Sequence, residues 1–88
     1  MVDVLIKIVN DGKVEILWMT ENFPRPYAQR SLLTITSPGF NEKYHGTYVI
    51  DGVEFFVGPF TFIKSGERIE LKSPIILTVT KDKYEKLF

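Results

Sequence analysis

Apolar and polar residues alternate with a period of two along most of the chain, and short turn-forming clusters interrupt the alternation often. That is the pattern of half-buried strands. Three of the clusters predict hairpins whose registers can be checked residue by residue. A three-residue Asn10-Asp11-Gly12 loop, with Gly12 left-handed, sets Ile8 against Val14, Ile6 against Ile16, Val4 against Trp18 and Lys7 against Glu15. One register then gives an apolar face and an opposite-charge pair together. A two-residue Asp11-Gly12 turn would oppose Ile8 to Glu15 and Lys7 to Ile16, so the longer loop is expected. A two-residue Asp51-Gly52 turn pairs Ile50 with Val53 and Tyr48 with Phe55. At Ser65-Gly66 the same count pairs Lys64 with Glu67, Phe62 with Ile69, Thr61 with Glu70 and Phe60 with Leu71.

The remaining pattern is weaker. Ser31 to Thr36 alternates poorly, whereas Ile75 to Thr80 puts Ile75, Leu77 and Val79 on one face, with Pro74 at the strand's start, where a missing N–H does little harm. Asp82 to Phe88 carries an Asp-x-x-Glu capping pattern and spaces Tyr84, Leu87 and Phe88 as on a helix. The expectation is an all-β fold: a small antiparallel barrel or two-sheet sandwich of about seven or eight short strands with a short C-terminal helix. No crossover helices are present to build a parallel α/β sheet. No linker or repeat divides the chain, so residues 1–88 are read as a single domain.

Length sharpens this picture, because 88 residues bury only roughly 60–65% of their unfolded surface and provide one modest core. Without cysteine there is no disulfide framework and no thiolate metal site to supplement it. Eleven basic and eleven acidic residues cancel, so no overall field draws the chain to a phosphate backbone or an anionic membrane. Nucleic acid is therefore a disfavoured partner. The apolar runs, such as Val4 to Ile6, are far too short to span a bilayer as a helix, and Met1-Val2-Asp3-Val4 lacks the basic start of a signal peptide. A cytoplasmic or virion-associated protein is expected, the latter by analogy with other small cysteine-free β-domains.

Catalytic constellations are sparse. Ser31, Ser37, Ser65 and Ser73 lie in no Gly-x-Ser-x-Gly elbow, and the glycines form no phosphate-binding loop. His45 is the single imidazole, with Glu42 three residues before it, too few ligands for a transition metal. Glu15, Glu67 and Glu70 read as solvated strand residues, while Glu54 stands beside Phe55-Phe56 and would need a partner if buried. No cofactor and no metal are expected.

Aromatic residues, 14% of the chain, are the unusual feature. From Val53 to Ile63 they run without interleaved Lys or Arg, which suits core packing or a subunit contact better than base stacking. A strand apolar on both faces must be covered on both, here either by a second sheet and the C-terminal helix or by another copy of the chain. Phe56, Phe60 and Phe62 are thus candidate interface residues. Two loops offer further binding residues. Phe23, Arg25 and Tyr27 sit around Pro24 and Pro26 on a stiff segment, and Phe40, Tyr44 and His45 lie in the ten residues from Ser37 to Gly46. The expected function is non-enzymatic protein binding, as a self-assembling structural component or a small accessory or inhibitor protein, with a homo-oligomer as one form. The alternatives are a small-molecule or nucleotide-binding barrel, with Arg25, Arg30 or Lys43 meeting an anionic group, and an OB-like binder of single-stranded nucleic acid.

Overall fold

A computed structural model describes residues 1–22 and 25–81. Among them are seven strands: β1 (Val2–Asn10), β2 (Lys13–Glu21), β3 (Leu32–Ile35), β4 (Gly46–Phe55), β5 (Pro59–Lys64), β6 (Glu67–Lys72) and β7 (Ile75–Lys81), with one 3-10 turn, Glu42–Tyr44. The fold is all-β. A curled five-stranded sheet in the order β2-β1-β7-β4-β3 forms a half-barrel, and β5 and β6 form a separate two-stranded sheet. The predicted helix over Asp82 to Phe88 lies outside the described residues.

Two strands are apolar on both faces and occupy the middle of the large sheet. In β1, Val4, Leu5 and Ile6 are consecutive and all buried, as are Ile75, Ile76 and Leu77 in β7. On the inner face Val4, Ile6, Ile75, Leu77 and Val79 join Leu17, Ile35, Tyr48 and Ile50 in the main core. On the outer face Leu5 and Ile76 meet Phe62 and Leu71 of the small sheet. Strands so covered belong at a sheet's centre, where neither face nor edge meets water. β1 and β7 pair in parallel, Val4 opposite Ile75 through Val9 opposite Thr80. The sheet is therefore mixed, which corrects the expectation of a wholly antiparallel one. No crossover helix was needed, because the intervening strands carry the chain round to the starting end.

Double coverage also decides the first hairpin. The loop is the two-residue Asp11-Gly12 turn, at φ 49° and 80°, and Ile8 faces Glu15, Lys7 faces Ile16 and Leu5 faces Trp18. The longer loop would keep β1 apolar on one face. With both faces of β1 buried that advantage has no force, and β2 divides its apolar residues between layers: Leu17 and Met19 inward, Ile16 and Trp18 outward.

Asp51-Gly52 is not a hairpin. β4 runs straight through it as one strand against β7, with a bulge at Asp51, so that Ile50 faces Val79, Gly52 faces Thr78 and Val53 faces Leu77. The extra residue turns Ile50 and Val53, three apart, to the same face. That shared face is what made the pair resemble a hairpin in sequence. Ser65-Gly66 does form the expected turn, with φ 52° and 78°, and Lys64 to Glu67 through Phe60 to Leu71 pair as predicted. At the root of this hairpin Ser73 N–H donates to Gly58 O at 2.9 Å, Phe56 N–H donates to Pro74 O at 3.1 Å, and Gly58 N–H donates to Ser73 Oγ at 3.0 Å. These bonds hold the small sheet against the outer face of the large one.

Candidate binding surface

The first loop begins at Glu21, the last residue of β2. Its carboxylate accepts a short hydrogen bond from the Tyr27 hydroxyl, and Arg25 Nε lies 3.4 Å from Glu21 Oε2, with the Glu21 side chain only 9% exposed. Oε2 itself is buried and accepts no hydrogen bond among the described residues. Tyr27 packs on the main core. Burial first, then the bond to Glu21 and its negative charge, push the phenol well above its ordinary value, against a smaller opposing effect of Arg25. Arg25 is thus engaged with Glu21, so its role as a lone anion receptor is weakened. Phe23 lies outside the described residues.

The second loop closes over the half-barrel. Asn41 Oδ1 accepts from Lys43 N–H at 3.0 Å and starts the 3-10 turn, which His45 N–H ends by donating to Glu42 O at 3.0 Å. Phe40 and Tyr44 pack on the main core. The Tyr48 hydroxyl donates to Tyr44 O at 2.7 Å, and His45 Nε2 bonds Ser37 O at 2.8 Å. A carbonyl can only accept, so this nitrogen carries the proton and fastens the loop. His45 and Glu42 are turn residues here, and among the described residues no group of three or more His, Asp or Glu stands together as a metal site would require. Glu54 is exposed and needs no partner.

Phe56, Phe60 and Phe62 lie in the layer between the sheets. Phe56 and Phe60 meet edge to face at 5.1 Å and 77°, Phe62 meets Trp18 likewise at 6.3 Å and 79°, and Phe62 is buried. The three are brought together as intramolecular core. Their neighbours Phe55, Val57 and Ile63 are exposed, at 67%, 89% and 75%, as are Val14 at 54%, Leu32 on β3 at 62% and Met1.

What sequence reading missed is an edge. β2 is terminal in the large sheet and pairs only with β1. Counting outward from the two-residue turn, Lys13, Glu15, Leu17, Met19 and Glu21 exchange hydrogen bonds with β1, so the backbone groups of Val14, Ile16, Trp18 and Thr20 point away from it. None of those four takes part in a backbone hydrogen bond to another described element. The register runs unbroken over all nine residues, with no proline or bulge to blunt the edge. Beside it opens a groove of about 370 Å³, where Val14, Ile16, Tyr44, Phe62 and Ile63 share the lining with the polar Glu15, Lys64 and Ser65.

Neither a protein-family model, a curated protein nor a solved structure matches this chain.

A second cavity, of about 360 Å³, sits at the mouth of the half-barrel between Lys13, Lys43, Lys81, Tyr44 and Tyr48. Lys43 Nζ lies 4.9 Å above the Tyr44 ring and 3.9 Å from Glu15, and Lys81 Nζ lies 5.1 Å above Tyr48. The Lys43 ammonium is held above the usual lysine value by its contact with Tyr44 and then by the Glu15 charge. No helix among the described residues is long and apolar enough to cross a membrane.

Proposed function

We propose that this chain is a non-enzymatic protein-binding β-domain that takes up an extended segment of a partner along β2. The observation that carries the reading is the open edge: nine residues of regular strand with four sets of outward backbone groups and a groove of mixed apolar and polar lining beside them. An added strand gains main-chain hydrogen bonds from the edge and specificity from pockets that receive alternate side chains. Val14 and Ile63 supply apolar surface at the rim, and the turn that positions Tyr44 supplies a fixed wall. Fixed walls reduce the ordering entropy lost on binding.

The test is a displayed library of nine-residue peptides panned on the wild-type chain and counter-selected on Val14→Pro, which deletes one outward N–H and no internal hydrogen bond. Recovery of alternating apolar peptides that bind wild type at least about tenfold more tightly supports edge recognition. Peptides that bind both proteins equally, or an empty selection, refute it.

A second reading rests on the lysine cavity. Three ammonium groups against one carboxylate, with two tyrosine rings, suit a small anion such as phosphate or a nucleotide. Phosphate that raises the thermal midpoint of wild type and not of Lys13→Ala/Lys43→Ala supports this reading. Equal responses of the two proteins remove it.

A further inference from the structure

The open edge is complementary to itself, and we infer that its partner is a second copy of this chain, paired β2 to β2 in antiparallel fashion about a twofold axis at Leu17. This inference rests on the proposed use of the edge and goes further by naming the occupant and the register. Only registers that bring Val14, Ile16, Trp18 and Thr20 into hydrogen-bonded positions use the outward groups. Centring on Leu17 opposes Val14 to Thr20 of the second copy, Ile16 to its Trp18, Glu15 to its Met19 and Lys13 to its Glu21. All nine residues pair. The two ends carry opposite charges, and the middle pairs a β-branched residue with an aromatic one, both favourable across strands. Four reciprocal positions, each exchanging two hydrogen bonds, give about eight bonds along the seam.

The adjacent registers lack this match. A shift of one step in one direction brings Glu15 opposite Glu21, acid against acid, and a step in the other carries Thr20 and Glu21 past the end of the partner strand to its Asp11-Gly12 turn, where they have nothing to pair with. Glu21 closes each end of the seam: its carboxylate already holds Arg25 Nε at 3.4 Å, and the centred register sets the exposed Lys13 of the second copy opposite it, so opposite charges meet at both ends. The seam would also join two half-barrels into one continuous sheet and remove the long free edge, a feature that invites uncontrolled pairing.

The experiment is light scattering on the full chain over a wide concentration series, with cysteine cross-linking to read the register. Wild type is expected to move from 10.2 kDa to twice that mass. Val14→Pro should remain a monomer throughout while keeping its far-ultraviolet dichroism. Lys13→Glu, which places like charges opposite one another at both ends, should weaken association by at least about tenfold. Because the chain has no cysteine, any disulfide reports only the introduced residues. Glu15→Cys/Met19→Cys should form a covalent dimer under mild oxidation, since these residues oppose one another between copies but are too far apart within one strand. Each single variant should cross-link poorly. A monomer at every concentration overturns the inference, as does a dimer untouched by Val14→Pro, or one in which Glu15→Cys alone cross-links as well as the pair. If wild type stays monomeric but selected peptides bind at β2, the choice of partner fails and the edge-binding function stands.

Discussion

Replacing Phe62 with alanine separates the core role of the aromatic segment from a role at a subunit contact. Phe62 is 8% exposed and meets Trp18 edge to face at 6.3 Å, with Leu5, Leu71 and Ile76 in the same cluster. Nearly all of its roughly 200 Å² is buried. At about 25 cal/mol per Å² that burial is worth at most ~5 kcal/mol, and alanine retains only a small part of it. Loss of the edge-to-face contact adds about 1 kcal/mol, while relaxation of the hairpin towards the vacated space returns some of the total. The expected loss is therefore about 3–4 kcal/mol. An 88-residue chain has a stability of roughly 4–13 kcal/mol, so the variant should lie close to its folding threshold. Trp18 is the single tryptophan and adjoins the site, so its fluorescence reports unfolding directly. In urea, with a slope of about 1–1.5 kcal/mol per molar, the midpoint should fall by about 2–4 M at micromolar protein concentration. Val57→Ala, at a residue 89% exposed, should move it by less than about 0.5 M. A Phe62→Ala midpoint within 0.5 M of wild type, accompanied by loss of an oligomer, would refute the intramolecular packing and return Phe62 to a subunit contact.

Deleting Asp51 should preserve the fold, because Ile50, Gly52 and Val53 already face Val79, Thr78 and Leu77 in order and removal leaves a regular ladder. The loss of the Gln29 Nε2 bond to Asp51 O, at 2.8 Å, and of the bulge's added twist should cost no more than about 1–2 kcal/mol by thermal unfolding. A collapsed midpoint would instead favour a hairpin at this site. Gly12→Ala should cost about 1 kcal/mol from its φ of +80° alone, since a β-carbon there meets nothing within 4 Å; a loss above about 3 kcal/mol would point to an unseen clash. Tyr27 has its phenol raised by burial and by Glu21, so folding favours the protonated form. Its contribution is complete below pH about 10 and declines as pH rises beyond that. Tyr27→Phe should lower the thermal midpoint at pH 8, where a bond to a carboxylate is lost, and should flatten the midpoint's fall between pH 10 and 11.5. An unchanged alkaline profile would exclude Tyr27 as its source.

Local chemistry determined a good deal of this protein. Ser65-Gly66 fixed its hairpin because a two-residue turn, an apolar ladder and opposite charges at Lys64 and Glu67 all agree on one register, and no distant element disturbs it. The alternation of Ile75, Leu77 and Val79 likewise showed which face of β7 meets the main core. Phe40, Tyr44 and Tyr27 could be recognised as loop residues with work to do, although their packing on the core and the turn-forming bonds of His45 required the folded chain. Tertiary structure decided the rest through burial on both faces. At Asp11-Gly12 the sequence offered two registers, and the choice depended on whether β1 had one apolar face or two, which its neighbours alone settle. At Asp51-Gly52 a bulge and a turn leave the same trace in sequence, an apolar pair three apart, and only the presence of β7 alongside both halves of β4 distinguishes them. The open edge of β2 had no local sign at all. A strand's inward and outward backbone groups are chemically identical along the chain, and whether the outward set finds a partner depends on sheet order, a property of the whole fold.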